Sequence, residues 1–170
     1  MNTNERSNKT LFITNAAFIA AIYVVLTFVA NAFGLASGVI QIRLSEALCA
    51  LCCFTPAAIP GLTIGCLLAN TLTGCCLIDI IFGSVATLIG ASLGYLIRRY
   101  RFLIPLPTIL ANAIIVPLVL IYGYGENLPY FYLFATVGAG ELISAGALGI
   151  IFMMALSRVP IFRTATAENS

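Results

Sequence analysis

Apolar runs at about 11–33, 44–58, 59–74, 77–97, 103–123 and 131–157 fill this chain, separated only by Gly, Pro or charge. A helix needs about 20 such residues to cross the hydrocarbon core of a bilayer. Apolar residues make up 61% of the sequence and charged residues 8%, which is outside the balance of a water-soluble domain. The chain therefore reads as an all-α integral membrane protein. Its 170 residues accommodate six spans if the loops are short and the second and third spans brief. Pro56 and Pro60 favour a tight turn between those two over one long helix. The expectation is one transmembrane domain over 1–170, a compact six-transmembrane-helix bundle with short tails at 1–10 and 158–170. The first run exceeds 20 residues, too long for the apolar core of a cleaved signal peptide, and reads as a retained helix.

Basic residues test this count, because Lys and Arg collect in short cytoplasmic loops. Six crossings that begin inside put Arg6 and Lys9, the cluster Arg98, Arg99 and Arg101, and Arg158 and Arg163 on one face, with both termini cytoplasmic. A five- or seven-span count splits these groups across the membrane. The connections 34–42, 75–77 and 124–130 then lie outside.

Against that background, Arg43, Glu46, Asp79 and Glu141 are anomalous. A charge at the centre of a membrane helix costs about 2.5–3.5 kcal/mol on insertion scales, so such groups pair, stay hydrated or meet a ligand. Arg43 and Glu46 begin the second helix at the outer face, and Asp79 begins the fourth there. Asn70 lies one turn below the outer end of the third. Glu141 is about ten residues into the sixth, about 15 Å down at 1.5 Å per residue, with Asn112 of the fifth at similar depth. Polar groups from five helices thus converge on the outer half of the bundle, while the inner half is apolar. That pattern describes a pocket open outward and closed below.

Small residues recur every fourth position: Ala16/Ala20 and Ala17/Ala21, Gly61/Gly65/Ala69, and Ala86/Gly90/Gly94. Such ridges let helices approach closely, within the chain or, for the first helix, against another membrane subunit. Several chemistries are excluded. The chain has no His, so histidine triads, zincin motifs and histidine proton relays are impossible. Its only lysine, Lys9, belongs to no phosphate-binding loop, so ATP-driven work falls to a partner. Cys49, Cys52, Cys53, Cys66, Cys75 and Cys76 lack a second pair at zinc-finger spacing and read as packing residues; Cys75 and Cys76, at an outer turn, are the pair to test for oxidation. Neither cofactor nor metal nor nucleic-acid binding is expected, and Arg98 to Arg101 read as a topology signal.

The segments Ile42-Arg43-Leu44-Ser45-Glu46-Ala47-Leu48, Pro60-Gly61-Leu62, Gly65-Cys66-Leu67-Leu68-Ala69-Asn70 and Asp79-Ile80-Ile81-Phe82-Gly83-Ser84-Val85-Ala86-Thr87, with Pro56 between the first two, resemble the QueT family along nearly the whole chain. These are non-enzymatic S-components of energy-coupling factor (ECF) transporters, assigned to queuosine precursors. The resemblance implies six helices in a bacterial plasma membrane, a substrate site near the outer face and a lid between helices 1 and 2. It also implies docking of Ala16, Ala17, Ala20 and Ala21 to a transmembrane coupling subunit that works with two ATPase subunits. Arg43, Glu46, Asn70 and Asp79 fall on the family's characteristic positions; Glu141 and Asn112 rest on the topology.

The residue types suit such a ligand. A 7-deazaguanine offers adjacent ring N–H and NH2 donors to a carboxylate, and a carbonyl to an Asn amide or Arg. Glu46, Asp79 and Glu141 against Arg43 carry a formal charge of minus two, which favours a cationic aminomethyl precursor or queuine over a neutral nitrile. Structural roles stay open: an Arg43–Glu46 ion pair, Asp79 as a helix cap, Asn70 and Asn112 as bridges between helices. Tyr122, Tyr124, Tyr130 and Tyr132 fit an aromatic belt or a stacking platform, and Glu126 a solvated loop. Rival functions are an S-component for another vitamin or nucleobase, a solo carrier, a small channel and a scaffold. A channel would line both halves of its path with polar groups, and a scaffold needs no buried acids.

Overall fold

A computed structural model describes residues 3–35 and 41–159, and the described secondary structure is entirely helical. Helix α1 (Thr3–Ala32) is followed by a 3-10 helix (Leu44–Cys53), α2 (Ala58–Leu72), α3 (Leu77–Leu96) and α4 (Pro105–Tyr124). A last rod joins α5 (Tyr130–Glu141) through a π-helical stretch (Leu142–Leu148) to α6 (Gly149–Ser157). Four spans among the described residues are long and apolar enough to cross a membrane: Asn8–Ala32, Leu77–Leu96, Arg101–Tyr124 and Tyr130–Ser157. The 3-10 helix and α2 are shorter. Outward-facing Leu11, Phe18, Leu77, Phe82 and Phe131 are exposed, a coat suited to lipid and not to water.

Glycines fix the helix contacts. A Cβ at Gly61 would lie 2.8 Å from the Ala16 carbonyl oxygen, and one at Gly65 2.7 Å from Tyr23 Cβ and 3.1 Å from Ala20 Cα. Position 61 therefore meets 16 and position 65 meets 20 and 23, so α1 and α2 run parallel. Between α3 and α4 the order reverses: Gly90 abuts Thr108, Gly94 abuts Ile104, and Gly123 faces Ile78. With little hydrophobic force between helices in lipid, such close approach is what holds them together.

The 3-10 helix runs through the middle. Eight of its ten residues are buried. It starts beside Ser144, which accepts a hydrogen bond from the Arg43 N–H at 3.0 Å, and ends beside Gly94, where a Cβ would lie 4.0 Å from Cys52 Cβ. Leu48, Cys52, Leu62, Cys66 and Ile104 form the centre of the core around it. A 3-10 helix rises about 2.0 Å per residue, so ten residues reach about 20 Å where an α-helix would reach about 15 Å.

The four alanines of α1 divide. Ala16 and Ala20 are buried against the α2 glycines, whereas Ala17 and Ala21 face outward. The segment expected as an amino-terminal tail is helical from Thr3, while part of the other tail and part of the expected lid, residues 36–40, lie outside the described residues.

Candidate functional site

The ends of α1, α2 and α4 and the starts of the 3-10 helix and α3 surround a cavity of about 330 Å³. Left-handed Gly74 (φ 76°) turns the chain from α2 into α3, and left-handed Gly125 (φ 71°) ends α4, so both loops close at the rim. The wall carries Arg43, Asn70 and Asp79, joined by Tyr23, Thr27, Ser45, Thr73 and Tyr124.

Arg43 is not helical. Its backbone is extended (φ −99°, ψ 94°) just ahead of the 3-10 helix, so its side chain and that of Glu46 are not one helical turn apart. Arg43 lines the cavity, while Glu46 sits beneath and accepts the Tyr23 hydroxyl at 2.5 Å. The segment leading to Arg43 is strapped to the last rod, with Ser144 in turn donating to the Gly140 carbonyl at 2.9 Å. At Gly140 any Cβ would collide with the Gln41 carbonyl, so only glycine admits that crossing.

Asp79 lies in the first turn of α3, but the N-cap is Cys76 and makes no side-chain cap bond. The carboxylate instead accepts the Tyr124 hydroxyl at 2.8 Å. Asn70 bridges α2 to α3, donating to the Asp79 carbonyl at 3.3 Å, and also faces the cavity. Asn112 donates to Glu141 Oε1 at 2.9 Å and so ties α4 to α5. Glu46, Asn112 and Glu141 are 3%, 1% and 4% exposed, a buried layer under the cavity and not part of its wall. Glu141 Oε2 has no hydrogen-bond partner among the described residues. The Arg43 guanidinium lies within electrostatic reach of both Asp79 and Glu141.

Of the four tyrosines considered for belt or platform, only Tyr124 lines the cavity; Tyr130 packs edge-on against Phe131 and donates to the Ile114 carbonyl. No pattern in the sequence singles out Tyr23 or Thr27, although Tyr23 is the single tyrosine of the first run and falls on the Ala16/Ala20 face. Glu126, exposed in its loop, reaches the rim. Cys75 and Cys76 are free thiols, and Cys75 lines the cavity.

Apolar helices around a polar chamber at one end of the bundle define a membrane protein of the binding or transport class, with no site for a metal among the described residues. The sequence pattern of the QueT transporter family matches residues 13–158, and the chain belongs to that family, one of transporters and not enzymes. It is 37% identical over 92 residues to the queuosine precursor transporter QueT of Lactococcus lactis subsp. cremoris, a match covering 54% of each chain, so it aligns with about half the length of that relative. No solved structure matches significantly.

Proposed function

We propose that the chain is the substrate-binding S-component of an ECF-type importer, capturing a queuosine precursor from outside a bacterial cell for uptake driven by a coupling subunit and two ATPase subunits. The observation that carries this reading is the cavity itself. Its volume of about 330 Å³ suits a bicyclic base, and its wall combines a guanidinium, a carboxylate and an amide from separate elements. The same is proposed for the named residues: Arg43, Asn70 and Asp79 touch the ligand, and Glu46, Asn112 and Glu141 support it from below.

Six crossings within a single transmembrane domain, with both termini cytoplasmic, complete the proposal. Parallel α1 and α2 favour a returning span between them, and the 3-10 helix supplies it by running from the cavity to the far end of α3. Arg98, stacked 4.2 Å over the Tyr95 ring, belongs to that far end, which favours it as the cytoplasmic one. Of the docking face, Ala17 and Ala21 are free to meet the coupling subunit.

A thermal-shift panel on the purified protein tests the substrate. At about 100 times its dissociation constant a ligand adds about 2.7 kcal/mol of stability. The aminomethyl precursor is expected to stabilise the protein more than the neutral nitrile, since two carboxylates and one guanidinium line the cavity. Stabilisation by a vitamin alone would overturn the substrate and leave the architecture standing.

A further inference from the structure

Arg43 reaches across the cavity from one side of the bundle to the other. Its backbone N–H donates to Ser144 of the last rod at 3.0 Å, whereas the groups within electrostatic reach of its guanidinium include Asp79 of α3, Tyr23 of α1 and Cys66 of α2. The side chain therefore runs from the rod toward Asp79 and Tyr23, two residues that line the same cavity. There it is unpaired. Among the described residues the guanidinium makes no ion pair and donates no hydrogen bond. The buried side-chain atoms that lack a partner are Asp79 Oδ1, Thr108 Oγ1 and Glu141 Oε2, and no Arg43 nitrogen is among them. Its unused donors are thus accessible, and the space they open onto is the cavity.

The other donors of the wall are largely spent within the protein. Tyr23 donates to Glu46, Thr27 to the Tyr23 carbonyl at 2.9 Å, Thr73 to the Ala69 carbonyl at 2.7 Å and Tyr124 to Asp79 at 2.8 Å. The Asn70 amide donates to the Asp79 backbone carbonyl at 3.3 Å. Arg43 is the charged donor left over for a guest. A guanidinium drawn out of bulk water without an acceptor is costly, and a guest that brings one relieves the cost. The surrounding charge selects the kind of acceptor. Asp79 and Glu126 outnumber Arg43 in the wall, which disfavours an anion and leaves a neutral carbonyl as the fitting group. An exocyclic amine in the same place would set donor against donor.

Resting on the base-binding reading above, we propose that Arg43 reads the 6-carbonyl of the bound base and so separates 6-oxo from 6-amino rings. The contact is a charge-assisted hydrogen bond made only when the guest arrives.

The experiment compares the affinities of 7-aminomethyl-7-deazaguanine and its 6-amino counterpart for the full chain in detergent or nanodiscs. Wild type is expected to prefer the 6-oxo base by about tenfold or more, the scale of one hydrogen bond to a charged group. Arg43→Met is expected to lower that ratio at least fivefold. The exchange of carbonyl for amine also alters the neighbouring ring nitrogen, so the change in ratio between the two proteins, and not the ratio itself, isolates the Arg43 contact. Arg43→Gln carries the test if the Met variant does not fold, because an amide can donate to a carbonyl or accept from an amine and is expected to lower the ratio likewise. A merely structural Arg43 would weaken both bases by the same factor and leave the ratio unchanged, which would overturn the inference. Wild type that binds both bases equally overturns it without any variant and leaves the transport reading intact. Binding of neither base overturns both.

Discussion

Glu141 meets Asn112 at 2.9 Å through one oxygen and no described residue through the other, so the pair is a sensitive point of the buried layer. Asn112→Leu removes that donor and is expected to cost about 1–3 kcal/mol, read as a lower thermal midpoint in detergent. Adding Glu141→Met removes the stranded acid as well, and the double variant is expected to regain most of the loss, since replacing both partners by apolar groups is nearly neutral. A double variant no more stable than the single one would mean that Glu141 is held by contacts beyond Asn112. The sequence exposed these acids readily, because any carboxylate in an apolar run stands out. It did not expose their partners. Tyr23 and Tyr124 look like ordinary membrane tyrosines until the fold brings them to residues 23 and 45 positions away in the chain.

At the level of elements, the apolar runs and the helices coincide for the long spans because length and hydropathy alone decide whether a segment can cross lipid. The second run behaved differently. Nothing in Leu44 to Cys53 distinguishes a 3-10 helix from an α-helix locally, and its tighter winding accompanies burial on all sides by the other helices. The alanine ridges were legible as packing surfaces but not as to which ridge packs inward, since that depends on the rotation of α1 against Gly61 and Gly65. Gly65→Ala places a methyl against Tyr23 Cβ and the Ala20 backbone, and is expected to destabilise the protein by about 1–3 kcal/mol. Ala17→Leu, on the exposed side, is expected to stay within about 0.5 kcal/mol of wild type. Thermal unfolding of the two variants distinguishes them; equal losses would mean that the outward ridge also packs within the chain.

For the molecule as a whole, the cavity lies where α1, α2 and α4 end, and the arginine cluster lies where α3 ends. That polarity yields a topological prediction. With Cys75 and Cys76 replaced by Ser, a cysteine at Leu128 is expected to react with an impermeant maleimide added to intact cells, and one at Tyr100 only after permeabilisation. Both positions are exposed, so reactivity reports sidedness and not burial. The reverse pattern would invert the bundle and place the cavity toward the cytosol. The π-helical stretch Leu142–Leu148 carries a final consequence. A π turn is wound one residue slacker than an α turn, so excising a single residue there would let the rod tighten into a continuous α-helix. The residue removed is the one the slack turn absorbs, so the two halves would keep nearly their present phase, with Glu141 still toward Asn112 and Gly149 on Ala47, whereas tightening with every residue kept would swing one half by about 100° against the other. The rod thus behaves as two cylinders on one axle, each free to be set against its own neighbours.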